Sequence, residues 1–200
     1  MIPAHAGSKP TKESALRTIV RINEQIKAVI GDAFRVRMMS LNALILAKRA
    51  GQSAVGFGVL SNELRGFASE LQGAMQGLQE STTGLLQAVT LNARAALSGR
   101  ILERLPERAQ RRAGGMLARN RHRLDDRHAE VVHWRGRLAS ILEEVVRTVE
   151  LGNVLARSTR IEAVYGGAHA PALTQVAVEF DAAITHIRQA IEHLRHLQRL

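Results

Sequence analysis

The chain contains no cysteine, and its aromatic residues are four Phe, one Trp and one Tyr among 200 residues. The first absence removes disulfides, thiolate nucleophiles and Cys-based zinc sites, and fits a reducing compartment. The second argues against a thick core built on rings; with Ala, Leu and Arg dominant, thin and closely spaced helices are expected. No run approaches the roughly 18 apolar residues needed to cross a bilayer. Residues 1–11 carry no apolar signal core and read as a disordered lead-in, bounded at residues 1–12. There is no Ser-His-Asp order, dinucleotide fingerprint or phosphate loop; the glycines of 51–58 sit between helical stretches rather than after a strand. A soluble, cytoplasmic, non-enzymatic protein with no cofactor and no small-molecule substrate is expected.

What is present is helical periodicity. At 46% hydrophobic and 23% charged, 200 residues can bury a sizeable core. Over residues 13–50 a seam runs through Ile19, Ile22, Ile26, Val29, Ala33, Val36, Ser40, Ala43, Ala47 and Ala50. Its steps alternate between three and four, the spacing of a coiled coil. A second seam follows through Leu60, Leu64, Phe67, Leu71, Ala74, Leu78, Ser81, Leu85 and Ala88. The short break between them implies a helical hairpin, residues 13–97. Both seams turn small near the break, which permits close backbone approach. From 98 to 124 the heptad fades around Pro106 and Gly114-Gly115, and a basic connector containing one or two short basic helices is expected. A second hairpin, residues 125–200, then runs through Val131, Trp134, Leu138, Ile141 and Val145, turns at Gly166-Gly167, and returns through Leu173, Val176, Phe180 and Ile187.

The two hairpins are related by one offset. A shift of 116 places Val29 on Val145, Ala47 on Ala163, Gly51 on Gly167, Glu63 on Glu179 and Leu78 on Leu194. Both glycine turns fall in register. The expected fold is all-α: a long antiparallel four-helix coiled-coil bundle, roughly 60 Å long, made of two hairpins related by a pseudo-two-fold within one monomeric chain.

The first turn carries a more specific pattern. Leu41, Asn42, Ala43, Ile45, Ala47, Arg49, Ala50, Gly51, Gly56, Phe57, Val59, Glu63, Arg65 and Ala68 agree with the signalling tip of bacterial methyl-accepting chemotaxis receptors, and residues 34–68 resemble that family. The second turn keeps Ile161, Glu162, Ala163, Gly167 and Glu179 and lacks the arginine and phenylalanine. The chain thus looks like a receptor dimer written in one polypeptide, with a degenerate second half. The resemblance implies binding to a chemotaxis coupling protein, a histidine kinase or other receptors through Phe34, Met38, Leu41, Asn42, Ile45, Arg49, Gln52, Phe57, Val59, Asn62, Glu63 and Arg65. At the second tip it points to Glu162, Tyr165 and Glu179. A Glu–Arg pair of the family is split here: Leu46 accompanies Arg49, and Tyr165 follows Glu162. Gln52 replaces a usual glutamate and Val55 a usual arginine.

Other features admit plainer readings. Net charge is +10, and residues 100–137 hold eleven Arg against five Asp or Glu. Arg104, Arg108, Arg111, Arg112, Arg119, Arg121 and Arg123 form a basic patch, either a solvated helical face or a site for nucleic acid or an anionic membrane. Asn42 and Asn62 either fix the tip for a partner or are ordinary bundle polar residues. Glu63 and Glu179 read as charge partners of neighbouring side chains rather than a catalytic pair. His122, His128, His133, His186, His193 and His196 read as structural or solvated, since Arg188, Arg195 and Arg199 crowd the last three and oppose a metal. Trp134 reads as a core anchor or as a contact for the basic connector.

Overall fold

The computed structural model describes residues 12–104, 106, 108–109 and 114–198, with the backbone alone at 12–16 and 198. The lead-in expected over 1–12 lies outside these residues except for Lys12. Four long helices follow one another: α1 Lys12–Ala50, α2 Val55–Glu103, α3 Gly114–Val164 and α4 Ala170–Gln198. The described residues contain no strand. The all-α bundle expected from the seams is the fold observed.

Each hairpin closes through a short 3-10 turn, Gly51–Ala54 and Gly167–His169. Gly51 has φ 70° and Gly167 φ 58°, the left-handed conformation that L side chains resist. This is why glycine occupies both positions of the repeat. The turns lie side by side: a Cβ built on Gly167 would stand 3.9 Å from the Cβ of Ser53.

Around the bundle, α1 packs on α2 and α4, and α3 packs on the same two. The first helix of each hairpin therefore lies against the second helix of the other, as a pseudo-two-fold requires. Residues related by the repeat share their burial: Ile26 with Leu142, Val29 with Val145, Phe57 with Leu173, Leu64 with Phe180, and Leu71 with Ile187. Each such side chain contributes about 1.5–3 kcal/mol on burial. Near the turns the core also takes in hydroxyls. Ser40, Ser61 and Thr159 are fully buried, and their hydroxyls donate to the carbonyls of Val36, Phe57 and Ala156 at 2.7–2.8 Å. Bonding to the preceding turn satisfies these groups without a cross-helix partner.

Along α2 and α3, small faces large at constant register. Gly56 meets Glu162, Gly77 meets Ile141, and Gly84 lies under the Trp134 indole; in the reverse sense, the Phe67 ring fills the gap at Gly152. From Gly56 through Gly77 to Gly84 each step forward on α2 is matched by an equal step back on α3, with Phe67 and Gly152 within one residue of that register, which is knobs-into-holes packing. Trp134 is half-buried over Gly84 and anchors the α2–α3 seam rather than the four-helix interior.

The helix boundaries depart from the heptad reading in the region expected to be connector. α2 continues to Glu103, residues 108–109 are helical, and the described part of α3 runs from Gly114, so Gly114-Gly115 lie within a helix instead of breaking one. The seam persists here in small and polar residues that a search for large apolar side chains misses. Asn120 Nδ2 donates to the Ala95 carbonyl at 3.1 Å, and a Cβ on Gly99 would lie 2.7 Å from that nitrogen. At ~1.5 Å per residue, α2 and α3 are about 74 and 77 Å long, beyond the 60 Å expected.

The outward charge of α3 changes along its length. At seven-residue steps, one line along α3 reads Ala163, Ala156, Val149 and Leu142, all buried, and then Arg135, His128 and Arg121, all exposed. The change falls level with the last described residues of α4. Among the described residues, α2 and α3 extend furthest from the turns.

Candidate interaction surface

The buried seam of α1 leaves its opposite face to solvent, and that face is not polar. Phe34, Met38, Leu41 and Ile45 step by four, three and four, so they form a second stripe. All four are exposed, Phe34 and Ile45 to 54%. Val59 on α2, exposed to 58%, lies beyond the turn. In the groove between α1 and α2, Leu41 and Arg37 meet Asn62, Arg65 and Ser69. Arg65 Nη2 donates to Asn62 Oδ1 at 2.9 Å, which holds both polar heads at the groove mouth. Asn42, Arg49, Gln52 and Glu63 are exposed around the same tip. These sequence-predicted residues therefore share one end and one hairpin.

Phe57 departs from the expectation. It is fully buried, so it belongs to the core and cannot touch a partner without unpacking the tip. The cause is its step in the α2 seam, seven residues before Leu64 and fourteen before Leu71, both buried.

The second tip differs. Glu162 is half-buried, its carboxylate covering Gly56 of α2 rather than reaching Arg49; a Cβ on Gly56 would lie 3.0 Å from Glu162 Oε1. Tyr165 is 69% exposed. Glu179 is exposed on α4 and accepts from Gln175 Nε2 at 3.0 Å. Glu63 and Glu179 sit on helices across the diagonal, so they are not a carboxylate pair. Sequence reasoning missed an apolar stripe here: Leu151, Val154, Ile161 and Tyr165 are exposed along α3, and Ile161 shares a groove with Val59. The signal was available, as apolar residues at outward heptad positions. Val55, at the start of α2, is also exposed.

Between the hairpins, the largely buried Asp32 carboxylate of α1 pairs with His186 Nδ1 of α4. His193 and His196 are exposed, and His122 lies 4.0 Å from Asp126. Among the described residues no group of three His, Asp or Glu stands ready to hold a metal ion. Of the basic patch, Arg104, Arg108, Arg119, Arg121 and Arg123 are exposed, while Arg111 and Arg112 lie outside the described residues. No described helix is long and apolar enough to cross a membrane.

Part of the chain is similar to a sensory transducer. Over 68 residues, 34% of the chain, it is 34% identical to a protein of Bacillus subtilis (strain 168) named as a sensory transducer, YvaQ. The match spans 12% of that protein's length. No family model and no solved structure matches the chain.

Proposed function

We propose that the chain is a receptor-like signal-transduction protein of the chemotaxis type. In this reading it works in the cytoplasm, and the tip of its first hairpin docks a coupling protein, a histidine kinase or a receptor. The observation that carries this reading is the exposed stripe of Phe34, Met38, Leu41 and Ile45 with Val59 beyond the turn. The four-helix core is filled without these side chains, so folding alone gives no reason for them to be apolar; contiguous exposed apolar residues with a polar rim mark interaction sites. Asn42, Arg49, Gln52, Asn62, Glu63 and Arg65 supply that rim. The identity to a protein named as a sensory transducer supports the same class. The function is recognition, without catalysis or cofactor. The second hairpin completes the core, and its tip offers a different exterior, so the two ends of the pseudo-two-fold are not equivalent to a partner.

Binding of the full chain to the chemotaxis coupling proteins of its own host, measured by biolayer interferometry, tests the reading. Met38→Glu places a charge in the stripe and Arg49→Ala removes the rim cation. Each is expected to weaken binding about thirtyfold, the effect of losing an interface hot spot. Lys27→Ala, exposed on α1 and far from the turn, should bind as the parent does. Absence of binding to any coupling protein, kinase or receptor of the host, or unchanged binding by both tip variants, would sink it.

A further inference from the structure

At the end opposite the turns, α2 and α3 pack on each other past the last described residues of α4. One side of this layer holds an open groove of about 700 Å³. Arg94 and Leu91 of α2 line it, with Met116, Arg119 and Arg123 of α3, and no carboxylate takes part in its lining. Arg94, Arg119 and Arg123 have no ion-pair partner among the described residues. Arg127 also lines the groove and pairs with Glu130 at 2.8 Å, and Asp126 lies 4.0 Å from His122 beside Arg123, so the unpaired cations are at the outer part of the groove.

The arginines are interleaved with exposed apolar side chains. Met116 is 53% exposed and Leu91 39%. Ile101, seven residues after Arg94 and so on the same helical face, is 59% exposed. A solvated basic face has no use for such residues, and neither does a nucleic-acid site, whose phosphates want cations and whose bases want ring platforms. Cations and exposed aliphatic side chains on one face suit an interface that is anionic at its surface and apolar beneath.

We propose that this far end of the α2–α3 hairpin docks on an anionic phospholipid bilayer. Arg94, Arg119 and Arg123 meet lipid phosphates, and Leu91, Ile101 and Met116 enter the acyl boundary. Docking there leaves the turn end, some 70 Å away at ~1.5 Å per helical residue, pointing into solvent and free for a protein partner. The proposal rests on the groove alone and is independent of what the turns bind.

Vesicle flotation with the full chain tests it, comparing phosphatidylcholine vesicles with vesicles carrying 30% phosphatidylserine. The expected result is binding to the serine-containing vesicles and none to phosphatidylcholine alone. Each arginine near the surface is worth about fivefold, so Arg94→Gln, Arg119→Gln and Arg123→Gln together should weaken binding about a hundredfold. Ile101→Gln with Met116→Gln should weaken it about tenfold or more with all arginines in place. These positions are exposed, and unchanged helical circular dichroism checks the fold; the comparison of the two vesicles needs no variant. Three results would overturn the proposal: no binding to phosphatidylserine vesicles at low salt, displacement by millimolar inorganic phosphate, or duplex DNA bound through the same arginines while the apolar pair has no effect on any ligand.

Discussion

Gly152 and Gly136 lie on the same helix, and alanine should have opposite effects at the two. In a helix interior Ala is about 1 kcal/mol better than Gly, because it loses less backbone entropy. At Gly136 a Cβ meets nothing within 4 Å, so that gain is realised in full. At Gly152 a Cβ would stand 2.7 Å from Cε2 and Cζ of Phe67. Carbon atoms pack best at about 3.5–4.0 Å, so the ring must retreat by about 1 Å. Phe67 is 3% exposed and has little room to do so. Overpacking of this kind costs about 1–3 kcal/mol, which outweighs the helix gain. In a chain of this size about 1 kcal/mol moves Tm by about 2–4 °C. Thermal and urea melts followed at 222 nm should therefore show Gly136→Ala raising Tm by about 2–4 °C and Gly152→Ala lowering it by a similar amount. Phe67→Leu, which shortens the ring's reach, should recover part of the loss in the Gly152→Ala background while destabilising the parent. If Gly152→Ala stabilises as Gly136→Ala does, α2 and α3 do not pack in this register.

Three further outcomes follow from the same packing. Phe180→Ala empties a fully buried site and should cost about 3–5 kcal/mol in urea unfolding, whereas Phe34→Ala, half-exposed, should cost well under that. His186→Ala and Asp32→Asn should each lower stability by about 1–3 kcal/mol, and the double variant should cost less than their sum, because both remove one pairing between the hairpins. Sedimentation equilibrium at micromolar concentration should return the 21.9 kDa monomer; an obligate dimer would mean that the hairpins pair between chains.

Much of this architecture was legible because a heptad states both the helix and its buried face. The seams through Ile26, Val29 and Val36 and through Leu64, Leu71 and Leu78 are the observed core. The offset that aligns Gly51 with Gly167 anticipated two turns in register; that both glycines are left-handed is seen only in the structure. Where contact relies on small residues the pattern fell silent. Ala95, Gly99 and Asn120 pack α2 on α3, yet none of them reads as apolar bulk, so 98–124 passed for a connector. At the tip, a motif fixes residue types without saying which side faces in, and Phe57 proved to be core. The Asp32–His186 pair joins residues from opposite ends of the chain, and only the closed bundle brings them together. The stripe along α3 was overlooked because attention to the seam hides apolar residues at outward positions.

The central claim is that two hairpins of one chain fold onto each other with their turns adjacent. The chain's lack of cysteine makes this directly measurable. Ser53→Cys with Gly167→Cys places two thiols with Cβ atoms about 3.9 Å apart, inside the range of about 3.5–4.5 Å that a disulfide needs. The left-handed backbone at Gly167 adds strain of about 1–2 kcal/mol, which a folded bundle of this size can absorb. After mild oxidation at micromolar concentration, intact mass spectrometry and non-reducing electrophoresis should show one cross-linked species at the monomer mass, two hydrogens lighter than the reduced chain. A covalent dimer, or two thiols that stay free, would contradict the in-chain bundle.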